Sequence, residues 1–560
     1  MNARLDSQRP RATRTPIGEI ADLAQLQNWR PGVKRTLDAG FDLGELRGRV
    51  GIVQRLDDTV VLFVLAHYAS SDVADEIERM VQARGYVLGS PSRYRVPPAL
   101  LLAVGRRMAQ DGVGQAMRPE RSALAAAFDD VLAWAVKQGA SDIHFNVDRR
   151  AAHSHVRFTI DGQYVLPERY RHMPSRTVLD MLAVAWMRVR GGNGAVFDPY
   201  IEQQGRIDTQ IDGQGVVLRW ASLAADAGPS VCLRILLTDP RLAAPDLSAL
   251  GFIAEHVALV EQACQAESGA LVVAGTVGSG KSTTLACALS AVASHRKLIS
   301  LEDPVEYPIA HAIQNTVSRA LGDEDDHVFD AKLRTIKRSG MDDLLIGELR
   351  DRQTGLAFTD LAASGVRLYA TTHTSSVVLI PERLGSDFIG VSRDLMASPG
   401  VLKLLVYQTL LPRLCRHCAL GTIQPDSELS CTEHYRLLQC LSGLNLPTQG
   451  LRWRNPAGCD ACRTAASPRL WGWKGRVAVA EILAPGEDTE LLACIRRRDA
   501  GAVAACRDAR GRDDPERARL YWTVRETALD KVAQGLVDVR DVMARLGRQR
   551  ILKPGGGRVG

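Results

Sequence analysis

The apolar run Leu271-Val272-Val273-Ala274 passes directly into Gly275-Thr276-Val277-Gly278-Ser279-Gly280-Lys281-Ser282, and a helical pattern follows from Thr283 to Ala293. A buried strand, a glycine loop and a helix start in immediate succession commit this region to an α/β layer. The glycines let backbone N–H groups converge on phosphate oxygens, and the helix N-terminus adds its partial positive charge. Lys281 then reaches the β- and γ-phosphates, while the Ser282 hydroxyl coordinates Mg²⁺. Gly275 to Thr283 are therefore the candidate nucleotide-binding residues. The chain holds 48 Gly, yet only ten of its 70 basic residues are Lys, which makes each placed Lys informative. Such a pattern arises by accident in roughly one sequence in a hundred of this composition, and a ligand-free glycine turn is the alternative.

At 560 residues the chain exceeds one hydrophobic core, so three or more domains are expected. An apolar fraction of 46% and a charged fraction of 24% fit a folded globular protein. The net charge of +6, from 70 basic and 64 acidic residues, makes no case for nucleic acid. No apolar run approaches the roughly 18 residues that span a bilayer, and Arg4, Arg9, Arg11 and Arg14 have no apolar stretch behind them. A cytoplasmic protein without an export signal or a membrane span is expected. In a reducing compartment, clustered thiols among the 11 Cys are more often metal ligands than disulfides.

Along the chain, a flexible arm is expected over 1–30 and a small α/β domain over 31–115, with strands Val50 to Val53, Thr59 to Ala66 and Tyr86 to Leu88. Helices Asp72 to Ala83 and Pro98 to Ala109 alternate with them. A linker at Gly112 to Arg121 leads to a second α/β domain, 116–240, which opens with a helix from Ser122 to Gln138. Its strands read as His155 to Ile160, Gly215 to Trp220 and Val231 to Leu237, before a proline-marked hinge at Thr238 to Asp246. The phosphate-loop domain occupies 241–410, a cysteine module 411–475, and a mostly helical region with a Gly-rich tail 476–560.

Hydrolysis needs acidic groups near the loop to hold metal and orient water. Lys297 to Leu301 reads as a strand ending in Glu302-Asp303-Pro304-Val305-Glu306, and Leu344 to Gly347 as one ending in Glu348-Leu349-Arg350-Asp351. A third, Val366 to Ala370, runs into Thr371-Thr372-His373-Thr374. In a parallel sheet these C-terminal ends lie beside the phosphate loop. A capping carboxylate or a solvated histidine is the commoner role for any one of them.

Cys415-Arg416-His417-Cys418 and Cys459-Asp460-Ala461-Cys462 form two short-spaced pairs 40 residues apart, the first placed after a helical segment ending near Arg413. Two such pairs suit a closed tetrahedral S₄ site for structural Zn²⁺. A redox dithiol, which needs only one pair, is the competitor. His417 is too close to its neighbours to chelate the same ion, and Cys431 and Cys440 read as ordinary thiols.

The loop, Leu301 to Glu306, Gly347 to Asp351 and Ala370 to Thr374 together resemble the type II secretion and type IV pilus assembly ATPase family, with its Asp box, atypical Walker B and His box. The resemblance implies that Glu302 is the general base, that Glu348 holds Mg²⁺ and that His373 senses the γ-phosphate. Upstream, Gly139 to His144, Val156 to Gly162 and Gln204 to Ile207 resemble the domain that precedes the motor and donates arginines to the nucleotide, here Arg206, Arg219 and Arg234. A guanidinium suits that task, although an exposed strand position explains any single one. The chain departs from the family at Thr276-Val277, where Pro-Thr is usual, at Met341-Asp342-Asp343, which lacks a Pro, and at Thr372, where Leu is common.

What the resemblance implies is a RecA-like P-loop motor domain preceded by smaller α/β, PAS-like domains, with a tetracysteine zinc insert and a helical C-terminus. Its cofactors are ATP, Mg²⁺ and Zn²⁺. The cysteines favour assembly or export over retraction. A homohexamer is expected, peripheral to the inner membrane, acting on a membrane platform protein to drive pilus assembly or type II secretion. The rivals are a nucleic-acid translocating ATPase, disfavoured by the charge, and a weakly active nucleotide-sensing scaffold.

Overall fold

The computed structural model describes residues 17–20, 25–26, 29–30, 32–37, 41, 50–65, 68–97, 101, 119–237, 246–317, 326–421, 431–514 and 517–551. Most of the expected N-terminal arm, the linker residues 112–118, the hinge residues 238–245, all but Leu101 of the helix Pro98 to Ala109, and the Gly-rich tail lie outside them. The chain divides into two compact units, one of residues 1–131, 175–205 and 222–229, the other of 132–174, 206–221 and 230–560. Among the described residues no helix is long and apolar enough to cross a membrane.

In the first unit, β1 (Ile17–Glu19), β2 (Val33–Thr36), β3 (Val50–Arg55), β4 (Val60–Val64) and β5 (Leu88–Arg95) form one sheet in the order β1-β5-β4-β3-β2. β3 and β4 are buried at every position; β4 is a continuous run of Val, Leu and Phe, while β3 buries Gln54 and Arg55 along with its apolar residues. The helix Asp72–Ala83 joins β4 to its parallel neighbour β5, capped by Ser71 and burying Ala74, Ile77 and Val81. β5 runs well past the short strand expected at Tyr86 to Leu88. Gly89 and Pro91 are residue types that favour turns, and the register shift against β4 places them in an irregularity of the strand.

Seven strands form the second sheet, six of them in the order β10-β11-β12-β6-β7-β8: β6 (Ala140–Asn146), β7 (His153–Ile160), β8 (Gln163–Val165), β10 (Gln203–Ile211), β11 (Gln214–Ala225) and β12 (Gly228–Leu237). β9 (Met173–Pro174) pairs with β7. Strict alternation of buried and half-exposed residues in β7 gives it one covered face.

The third sheet carries the phosphate loop. Its strands are β13 (Gly269–Ala274), β14 (Leu298–Glu302), β15 (Ile313–Thr316), β16 (Asp343–Ile346), β17 (Arg367–Thr372), β18 (Leu402–Leu414) and β19 (Trp473–Leu483), in the order β15-β14-β16-β17-β13-β18-β19. Every neighbouring pair is parallel except β18 with β19. Period 2 along β13 sends Leu271 and Val273 into one core with Leu285 and Leu289, and Ala270, Val272 and Ala274 into another with Phe358 and Leu361. Helices thus cover both faces, as a parallel sheet requires.

Two expectations are corrected here. The segment ending near Arg413 is the strand β18, not a helix, because an apolar run buried on both faces has no periodicity that separates strand from helix. The region after Arg476 turns helical only beyond Leu483, since its first residues complete β19.

Candidate nucleotide and metal sites

Register aligns the chemistry. Ala274 at the end of β13 pairs with Thr372 on β17, Ala370 with Ile346 on β16, and Ile346 with Leu301 on β14. Gly275, His373, Gly347 and Glu302 each follow within a residue or two of those positions, at one edge of the sheet. Side chains stitch the ends together. Thr371 Oγ1 donates to Gly347 O at 2.6 Å and Thr372 Oγ1 to Leu349 O at 3.1 Å. The hydroxyl of Thr372 therefore has a use that the family's Leu would not supply. Gly347 is there for closeness, since a Cβ would sit 3.1 Å from Glu302 Cα.

Within the loop, Gly275 admits no side chain: a Cβ would meet Ser279 Oγ at 2.4 Å and Gln408 O at 2.5 Å. Gly280 caps the helix Lys281–Ser290 at φ 84°, a left-handed conformation that favours glycine. Lys281 Nζ donates to Gly275 O at 3.1 Å and Thr276 O at 3.2 Å, and lies 3.3 Å from His373 Nδ1. Burial lowers the Lys281 pKa, an effect opposed by Glu348 and Glu306. His373 Nε2 is 3.2 Å from Glu348 Oε1. His373 Nδ1 is also 3.0 Å from Gly275 O, a carbonyl that can only accept, so the ring meets the loop at Nδ1 and Glu348 at Nε2 and joins the His box, Walker B and loop.

Glu302 is held from the other side. Ser300 Oγ donates to its Oε1 at 2.5 Å and Gln314 Nε2 at 3.1 Å. Burial nevertheless raises its carboxyl above the ordinary value, outweighing those two donors, and Glu306 adds to the rise. A carboxylate with a raised pKa beside a phosphate loop is suited to take a proton from water.

The three arginines differ. Arg219 reaches the Asp box, donating to Asp303 O at 3.0 Å and lying 3.5 Å from Asp303 Oδ1, with Arg350 3.1 Å from the other carboxylate oxygen. Arg234 pairs with Asp142 at 3.0 Å, and Arg206 with Asp208 on its own strand. The structure thus brings Arg219 to the Asp box and leaves Arg206 and Arg234 on carboxylates of their own sheet.

Four supports escaped the sequence reading. Ser300 was legible by period 2 from Glu302, and Arg350 lies inside the Walker B run. Gln314 and Gln408 carried no signal, because folding alone brings them near. Gln408 Nε2 donates to the buried Ser279 O at 2.7 Å, 129 residues away in sequence. Gln408→Ala strands that carbonyl, which costs about 1–3 kcal/mol. Urea unfolding is expected to show a loss in that range together with weaker ADP binding.

At the far end of β18, the sulfurs of Cys415, Cys418, Cys459 and Cys462 all lie within 4.8 Å of one another. Cys415 to Cys459 is 3.8 Å, Cys418 to Cys462 3.7 Å and Cys459 to Cys462 3.9 Å. Tetrahedral thiolates around Zn²⁺ at about 2.3 Å stand about 3.8 Å apart, whereas a disulfide is about 2.05 Å. The set fits a metal and not a pair of disulfides. Burial pushes the Cys462 thiol up, but the N–H groups of Cys459 and Gly472, together with the Cys418 and Cys415 thiols, bring it down to about 7. His417 turns away, accepting from Arg416. Cys440 is buried, its thiol donating to Ile551 O and accepting from Arg525, and the side chain of Cys431 lies outside the described residues.

Residues 119–544 match the family model described as type II/IV secretion system protein. The type II secretion system protein E of Pectobacterium carotovorum subsp. carotovorum is 30% identical over 414 residues, 74% of each chain. The type IV pilus assembly ATPase PilB of Thermus thermophilus is 28% identical over 444 residues, 79% of this chain and 45% of that one. Among solved structures, the ATPase DotB of Legionella pneumophila aligns with 75% of this chain and 95% of its own, at 18% identity and a TM-score of 0.49.

Proposed function

Because the chain belongs to the type II/IV secretion system protein family, we propose that it is an ATP-hydrolysing motor for type IV pilus assembly or type II protein secretion. The observation that carries this is the alignment of Gly275, Glu302, Glu348 and His373 on one edge of a parallel sheet. Residues Gly275 to Thr283 bind the phosphates, and Lys281 leaves its own loop carbonyls for the β- and γ-oxygens. Glu302 takes a proton from water as the water oxygen bonds to the γ-phosphorus. The bond to the β–γ bridging oxygen breaks, giving ADP and inorganic phosphate. Ser282 and Glu348 would hold Mg²⁺, which would supply positive charge against the phosphates. His373, which meets both Glu348 and the loop, reads the presence of the terminal phosphate. Arg219, with Arg206 and Arg234, supplies positive charge as the transition state forms, Arg219 by exchanging Asp303 for phosphate.

Zn²⁺ on Cys415, Cys418, Cys459 and Cys462 is structural. The motor works as a homohexamer at the cytoplasmic face of the inner membrane and passes its motion to a membrane platform protein. The test is Mg²⁺-dependent phosphate release by the full chain and by Lys281→Ala. Turnover that falls at least 100-fold in the variant is expected. Equal rates in the two proteins would sink the enzyme reading.

A further inference from the structure

The hydrolytic residues use one flank of the phosphate loop, and the other flank carries a guanidinium of its own. Arg545, in the last turn of the helix Val539–Leu546, places Nη2 at 3.5 Å from Thr276 Oγ1 and donates from Nε to Thr409 Oγ1 at 3.2 Å. Thr409 is buried on β18 next to Gln408, the residue that props Ser279. One strand therefore supports both the first turn of the loop, through Arg545, and its last turn, through Gln408. Arg545 itself is exposed at the rim.

Its partners distinguish it. Arg206, Arg219, Arg234 and Arg350 all face carboxylates. Both hydrogen-bond partners of Arg545 are neutral hydroxyls, and among the described residues no carboxylate pairs with it. Its charge and its planar face remain available to a ligand.

Sheet order decides which part of a ligand arrives there. Glu302 ends β14, and Glu348 and His373 follow β16 and β17, all on one side of β13, while β18 lies on the other. Groups that orient water and hold metal surround the terminal phosphate, so that end of the nucleotide points toward β17. The α-phosphate, ribose and base must leave the loop toward β18. Resting on the nucleotide-binding reading above, we infer that Arg545 binds the nucleoside end of ATP, its guanidinium lying flat against the base. A guanidinium stacks on an aromatic plane while still donating at its edge, and here Thr276 and Thr409 receive that edge.

Titration calorimetry of the full chain with Mg²⁺-ADP and with Mg²⁺-tripolyphosphate tests this. Arg545→Ala is expected to weaken ADP about tenfold and to leave tripolyphosphate within twofold, because the loop itself holds the phosphates. Arg545→Lys keeps the charge, lacks the plane and recovers little. In steady state KM rises and kcat holds. Unchanged ADP affinity in Arg545→Ala overturns the inference. Equal weakening of ADP and tripolyphosphate also overturns it, by making Arg545 a phosphate ligand or a prop for the loop. Binding of neither ligand by the wild type overturns the nucleotide site and this inference with it.

Discussion

Replacing Glu302 with Gln is expected to lower ATP turnover by about 10²–10⁴-fold while ADP affinity stays within a few-fold of wild type. The amide keeps the size of the side chain and can still meet Ser300 and Gln314, but it cannot take a proton. Single-turnover phosphate release and a separate ADP titration read the two quantities. Stability should not fall with activity. Burial raises the Glu302 carboxyl, so the stability it contributes is complete below its unfolded pKa and is lost as pH rises through the folded one. At neutral pH the ionised group is therefore a liability, and Glu302→Gln is expected to melt no lower than wild type. The same sign places the acid limb of kcat above the ordinary glutamate range near 4.3. A variant that melts far lower, or an acid limb at or below that value, would contradict the assignment.

The second large effect is expected at the four cysteines. Cys415 N–H donates to Gly472 O at 2.9 Å, directly joining the end of β18 to the residue before β19, and Leu414 N–H donates to Leu536 O at 2.8 Å. Arg454 N–H reaches Asp538 at 2.8 Å, and Trp473 Nε1 reaches Asp541 at 2.8 Å. The thiol cluster thus ties the antiparallel edge of the sheet to the C-terminal helices. Structural zinc supplies about 10–16 kcal/mol of binding free energy, which is folding free energy when the site forms only in the native state. Cys462→Ser should lose bound zinc as measured by atomic absorption and melt at least 10 °C lower, with ADP affinity falling because β18 carries Gln408 and Thr409. Zinc-free wild type that melts like the loaded protein would remove the structural role.

How much of this was legible before folding depends on the range of each interaction. The run from Leu271 to Ser282 needs nothing distant, since strand, glycine turn and helix start are consecutive and their geometry is local. The CxxC spacing is equally local, because two thiols three residues apart share one turn. Continuous apolar runs were ambiguous in kind, which is why β18 read as a helix: burial on both faces erases the period. β5 hid behind Gly89 and Pro91, which a turn and a strand irregularity use alike.

The sequence by itself determined that a phosphate loop, acidic strand ends and a tetrathiol cluster exist, because each is written in neighbouring residues. Only the tertiary structure decided which of them meet. The order β14-β16-β17-β13-β18 places Glu302, Glu348 and His373 on one flank of the loop and Gln408 and Arg545 on the other. Strand order is set by long-range pairing and by which apolar faces bury together, and no spacing along the chain records it.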